Sequence, residues 1–327
     1  MQKHYCLFWK AILVCALFTF VLIKNVEANH GPGSGGGSVS TIPALTLRSS
    51  SFSFSFNTRM TELETVSRST LLRKGLTAGS FDAVDRSILY TIAAAYGVTD
   101  DFTLGLSLGW FETINFRESE LKSGDEAGVE ILKANPDGIT DMWLTGKYRF
   151  FRGPQGHYAF LFGVKFPTGR EDSQNNEGEK LEAVEQPGSG SFDFATGIAY
   201  SRWLTKDWML HTSIKYTLKT EGARDYKIGD RIDWGVSTSY QLMPKNEFPN
   251  FVPVGGFSVR QLFRDKQNEN DLINSGSTTI FISPGFNVGI TKNFGINTAF
   301  SIPVFQKTLG RQQETDFQAS VGFNFHF

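Results

Sequence analysis

Three pairs of side chains have the types and spacing that acid–base or nucleophilic chemistry needs. His211 and Ser213 stand two residues apart, as a general base and a hydroxyl nucleophile could. Asp141 with Lys147, and Arg231 with Asp233, have the look of proton-transfer pairs. The first pair fails on distance. Both residues fall in "WMLHTSIKYTL", whose alternation predicts a strand, and side chains two apart on one strand face are separated by about 7 Å. That is beyond hydrogen-bond reach. Apart from His4, the histidines are His30, His157, His211 and His326, scattered and without metal-ligand spacing. No catalytic residue, cofactor site or metal site is expected, and the chain is expected not to be an enzyme.

The elements that must carry these residues are strands. In "DFTLGLSLGW", Phe102, Leu104, Leu106, Leu108 and Trp110 share one parity, and Thr103, Gly105, Ser107 and Gly109 the other. Strand side chains alternate between faces, so one face is apolar and the other small and polar. Twelve such segments follow one another, most of about ten residues or more. In "FVPVGGFSVRQLF" the parity slips near Gly255 and Gly256, where a β-bulge is expected. The polar face carries Arg59, Asp141, Lys147, Arg149, Lys165, Asp193, His211, Lys215, Arg231 and Asp233. The charge pairs then read as a ladder on a wet surface, worth little in stability.

A soluble sandwich buries its apolar face, whereas a membrane barrel turns that face to lipid and keeps the polar one inside. The charged face is poorly suited to a dry core. The connections alternate as well: those near 98–101, 151–156, 204–207, 243–250 and 291–293 are short, whereas 61–85, 112–138, 169–190 and 264–277 are long. Aromatic residues gather at the short turns (Tyr96, Phe102, Tyr148, Tyr158, Tyr200, Trp203, Trp208, Tyr240 and Phe294), as in an interfacial girdle. The expected fold is all-β: a transmembrane antiparallel up-and-down barrel of about 12 strands over residues 50–327, with long extracellular loops and short periplasmic turns.

The ends agree. Lys3 and Lys10, an apolar run over residues 11–23 and the small residues of Val26-Glu27-Ala28 form a secretory signal, expected to be cleaved after residue 28. Both cysteines, Cys6 and Cys15, lie inside it. Without it the chain has 29 basic against 32 acidic residues, which gives nucleic acid no reason to bind. Residues 29–49 are Gly-rich, and are expected to be a periplasmic leader or a partial plug of the lumen. At the other end, Phe323, Phe325 and Phe327 alternate to the last residue, like the carboxy-terminal signal read by the barrel-assembly machinery. Residues 112–138 hold seven acidic and three basic side chains, and residues 169–190 six and two; these loops are solvated, or draw cations to the mouth.

"FGVKFPTGRED" places Lys165-x-Pro167-Thr168-Gly169 at the outer end of the fifth strand. Together with the leader "HGPGSGGG" and the closing "TDFQASVGFNFHF", it resembles a bacterial outer-membrane family named after the meta pathway of phenol degradation. The resemblance implies an outer-membrane transporter of small molecules. Outer-membrane phospholipase A is also a twelve-stranded barrel, but its motifs around His and Ser have no counterpart here. The expected function is passive passage of small solutes through a narrow polar lumen, with lipid, the assembly machinery and the solute as partners. The excess of inward Arg and Lys over Asp favours anionic or polarisable solutes. The alternative is a non-conducting structural or adhesive barrel whose long loops bind a partner.

Overall fold

A computed structural model describes residues 41–78, 80–122, 128–244 and 247–327. The export segment and leader residues 29–40 lie outside the described residues. Twelve long strands run β1 Phe52–Leu63, β2 Arg86–Thr99, β3 Phe102–Ile114, β4 Met142–Gly153, β5 Gly156–Phe166, β6 Asp193–Trp203, β7 Trp208–Leu218, β8 Arg231–Tyr240, β9 Asn250–Leu262, β10 Ser277–Gly289, β11 Phe294–Thr308 and β12 Thr315–His326. Each pairs antiparallel with its neighbours in sequence, and β12 returns to β1, with Phe54 opposite Phe325 and Arg59 opposite Ser320. The closed barrel leaves no sheet edge unpaired, which a wall in hydrocarbon requires.

Burial follows the alternation. On β3, Thr103 is 5% exposed while Leu106 is 45% exposed; on β7, Ser213 is 6% and Ile214 49%. Exposed Leu, Ile, Phe and Val recur around the wall, at Ile92, Leu104, Phe160, Ile198, Trp234, Ile282 and Val321. An apolar surface on this scale has no place in water, but it matches a bilayer. The aromatic residues at the short turns lie on this outer face, except Trp203, whose register opposite buried Met209 gives it the inner parity; Tyr158 packs on Tyr200 at 4.7 Å and Phe294 on Phe325 at 4.8 Å. Phe327 closes the ladder: its N–H donates to the Phe52 carbonyl at 2.8 Å, and the Phe52 N–H to its own carbonyl at 2.9 Å.

The expected bulge at Gly255–Gly256 is absent. Residues 250–262 keep one continuous register with β10, Gly255 opposite Pro284 and Gly256 opposite Ser283. The slip comes from composition: Phe251, Pro253, Gly255 and Phe257 form the outward stripe, and Gly255 contributes no side chain to it. Register shifts lie elsewhere, between Arg149 and Phe151 in β4 and between Ile280 and Phe281 in β10.

The long connections are more ordered than loops. Short strands Ser80–Ala83, Phe116–Lys122 and Gly128–Ala134 form a small antiparallel sheet, and helix α1 (Arg68–Ala78) belongs to the same outer region. Val66, Leu71, Phe81 and Ala83 give it a core of its own, joined by Ile131. A second small sheet joins Tyr226–Lys227, Lys266–Gln267 and Asn270–Asp271.

Candidate functional site

The candidate site is the lumen, and its geometry is layered from the end with the short turns to the end with the long loops. At the short-turn rim, Arg149 pairs with Asp101 at 2.7 Å and donates to the Asp100 carbonyl at 2.8 Å. The same carbonyl accepts the Thr46 hydroxyl at 2.6 Å, and the Asp100 carboxylate accepts the Ser49 N–H at 2.9 Å. Residues 41–49 therefore enter the barrel over this rim. Gly97 lets them pass, since a Cβ there would collide with the Arg48 carbonyl.

Deeper in, the segment lies along the wall of β3 to β7. The Leu47 N–H donates to Thr103 Oγ1 at 2.8 Å, the Ala44 N–H to Ser201 Oγ at 2.9 Å and the Ile42 N–H to Ser213 Oγ at 3.0 Å. Lys147 Nζ donates to the Leu45 carbonyl at 3.0 Å. Ala44 is fully buried against Ala159, Leu161 and Ala199, with Ile42 beside them. Lys147 thus does not pair with Asp141. His211 does find a hydroxyl, though not Ser213: its Nδ1 lies 2.8 Å from Ser201 Oγ, its partner across the β6–β7 ladder. Ser201 is fully buried and already receives the Ala44 N–H, so the pair fastens the inserted segment.

Near the long-loop end, Lys165 is 4% exposed and lies between two carboxylates, 3.0 Å from Asp141 and 2.6 Å from Asp193. Asp193 also holds Lys219 at 2.8 Å. Asp141 accepts the Gly169 N–H at 2.9 Å and the Ser189 N–H at 3.0 Å, one from each end of the connection between β5 and β6. Gly169 and Gly188 approach so closely that a Cβ on either would meet the other's backbone. Thr168 Oγ1 accepts the Met142 N–H at 3.0 Å. The Lys-x-Pro-Thr-Gly stretch is therefore a clasp that gathers the 167–191 loop onto the barrel.

Further along the wall, Lys215 on β7, Asp233 on β8 and Arg260 on β9 stand opposite one another in register, with Arg231 beside them on β8 and Arg59 on β1. Asp233 Oδ1 takes Arg231 at 2.6 Å and Arg260 at 3.4 Å. Of the ten charged or His residues expected on the polar face, Asp141, Arg149, Lys165, Asp193 and His211 are buried on the side of the wall opposite the exposed apolar stripe. Arg260 and the ring of Phe281 join them there, the guanidinium 5.5 Å above the ring centre. Counting by two from Ser258 finds Arg260 once the Gly255 position is read as part of the outer stripe.

Above the wall, the outer loops collect acid. Burial pushes Asp82 up to about 7, with Glu118 and Glu182 adding repulsion. Burial also raises Glu118 to about 7, helped by Glu182 and Glu120. Glu185, buried and beside Asp82, is pushed up to about 10. No group of three or more His, Cys, Asp or Glu among the described residues is arranged to hold a metal ion.

A family model described as "Putative MetA-pathway of phenol degradation" matches residues 114–304, more than half of the chain. The chain belongs to this family. The match spans β4 to β10 entire and takes in the clasp. No curated protein matches it. Among solved structures, an outer membrane channel from Pseudomonas putida is similar at 13% identity and a TM-score of 0.59, over 87% of this chain and 98% of that one. The CymD monoaromatic hydrocarbon channel aligns at 14% identity and a TM-score of 0.48, over 94% and 99%. The NanC porin aligns at 9% and 0.47, over 83% and 98%. At these identities the first likeness speaks to fold, and the fold is that of an outer-membrane barrel. The protein is an outer-membrane β-barrel of this family.

Proposed function

We propose that the protein passes small solutes passively across the outer membrane through a narrow lumen, with residues 41–49 acting as a partial plug. The observation that carries the reading is the closed wall with an apolar outside and a charged inside. Twelve strands enclose a lumen between that of a side-chain-filled eight-stranded barrel and that of an open sixteen-stranded porin. The inserted segment and the clasped 167–191 loop narrow it further. The plug is held mainly by single hydrogen bonds to hydroxyls, each worth about 1 kcal/mol net, so it can be displaced without unfolding the wall. Lipid on the apolar face and the assembly machinery, reading Phe323, Phe325 and Phe327, are the partners that complete this account.

Liposome swelling with solutes graded in size and charge tests it. Wild-type protein is expected to admit only small solutes, and a chain lacking residues 41–47 to admit larger ones faster. A folded barrel that admits no solute with or without those residues would sink the channel reading. It would leave the structural or adhesive barrel, which the ordered outer sheets favour.

A further inference from the structure

The cations in the outer half of the lumen are not evenly spread. β1 and β7 are six strands apart in a ring of twelve, so Arg59 and Lys215 project from opposite walls. Arg59 nonetheless feels the charges of Lys215, Arg231 and Arg260. Of these four cations, Arg231 and Arg260 are ion-paired to Asp233. Among the described residues, buried Arg59 Nε and Arg231 Nε have no hydrogen-bond partner, although guanidinium donors normally find acceptors. Like charges held together in a low-dielectric channel repel strongly unless an anion sits among them.

We propose that Arg59, Lys215, Arg231 and Arg260 form an anion subsite in the lumen that takes a small organic carboxylate. The cluster already holds one carboxylate, Asp233, whose Oδ1 is shared by Arg231 and Arg260. That shows the ligand chemistry the guanidinium forks accept, planar and charge-assisted. The Phe281 ring, buried at 4% exposure, lies beneath Arg260 and supports its guanidinium. A bare halide would use the charge and leave the planar fork geometry unused. The inference rests on the channel reading for its biological sense, but the binding can be measured without it.

The test is calorimetry on full-length protein in detergent, with benzoate, acetate and chloride as probes, beside reversal potentials in planar bilayers under a KCl gradient. Benzoate is expected to bind at least about tenfold more tightly than chloride. Arg59→Gln with Arg260→Gln is expected to weaken benzoate at least about tenfold and to shift the reversal potential away from anion preference. Lys206→Gln, on an exposed turn, is expected to change neither. Heat-modifiable migration in electrophoresis reports folding. If the double variant fails that check, Lys215→Gln replaces it and must weaken benzoate severalfold. Equal binding of benzoate and chloride, or benzoate affinity untouched in a folded variant, would overturn the subsite. Current without carboxylate binding would also overturn it and leave the channel reading standing. Carboxylate binding lost in the variant, in a barrel that never conducts, would support the subsite and sink the channel reading.

Discussion

At the scale of single residues, Lys165 shows how a charge can be legible while its role is not. Parity places it on the inward face. Parity says nothing of Asp141 and Asp193, which reach it from just before β4 and from the start of β6, or of the loop they gather. Such partners come from register across the barrel, which local pattern does not contain. Lys147 makes the same point, because its acceptor is the Leu45 carbonyl of a segment with no periodicity to read. Removing one member of a buried ion cluster leaves uncompensated charge and costs about 3 kcal/mol. Lys165→Met is therefore expected to lower stability in urea by about that amount and to open the 167–191 loop to protease. Adding Asp141→Asn is expected to restore part of the loss by removing one stranded carboxylate. Tryptophan fluorescence of the reconstituted barrel, with limited proteolysis, gives both readouts. A single variant that unfolds with the wild type would show that the clasp holds nothing.

At the scale of elements, the twelve long strands were readable because lipid and lumen impose opposite chemistry on alternate residues. The outer sheets were not, since strands such as "RESELK" and "VEILKA" carry charge on both faces. Their acidic content was visible, whereas its convergence was not. Asp82 belongs to the small outer sheet and Glu185 to the turn Ala183–Glu185 in another loop; both are pushed up by burial, Asp82 also by Glu118 and Glu182, and Glu185 also by Asp82. An exposed carboxyl titrates near 4 (about 3.9 for Asp and 4.3 for Glu). Between that value and about 7 for Asp82, the packed loops hold more protons than the separated ones. Raising the pH through this window therefore favours separation, and the stability of the contact is greatest on the acid side. Glu118 and Glu182 add repulsion to both, and Glu120 and Glu179 act in turn on Glu118. Hydrogen exchange at residues 80–83 and 183–185, corrected for intrinsic rates, is expected to be slower at about pH 5.5 than at about pH 8. Asp82→Asn with Glu185→Gln should flatten the difference. An unchanged pH dependence in that variant would place its cause elsewhere.

At the scale of the whole molecule, the barrel makes a depth axis, and the outer face of β3 samples it from Phe102 near the short-turn interface to Leu106 and Leu108 near mid-height. An Arg facing lipid costs about 2–4 kcal/mol at the bilayer midplane and about 0–1 near the interface. Leu106→Arg and Leu108→Arg are thus expected to destabilise the reconstituted barrel by the larger amount, and Phe102→Arg by the smaller. Ser107→Arg sits between the two leucines in sequence but points inward, opposite Trp143, where water and other charges are within reach. It is expected to fold with stability near the wild type. The contrast between neighbours 106 and 107 reports the direction of the side chain, and the gradient from 102 to 108 reports depth. A buried apolar core would make the cost follow packing around each leucine, with no ordering along the strand. Reversible urea unfolding in lipid vesicles would measure the set. A Phe102→Arg penalty equal to that of Leu106→Arg would mean that the hydrocarbon band does not lie where the alternation and the aromatic turns place it.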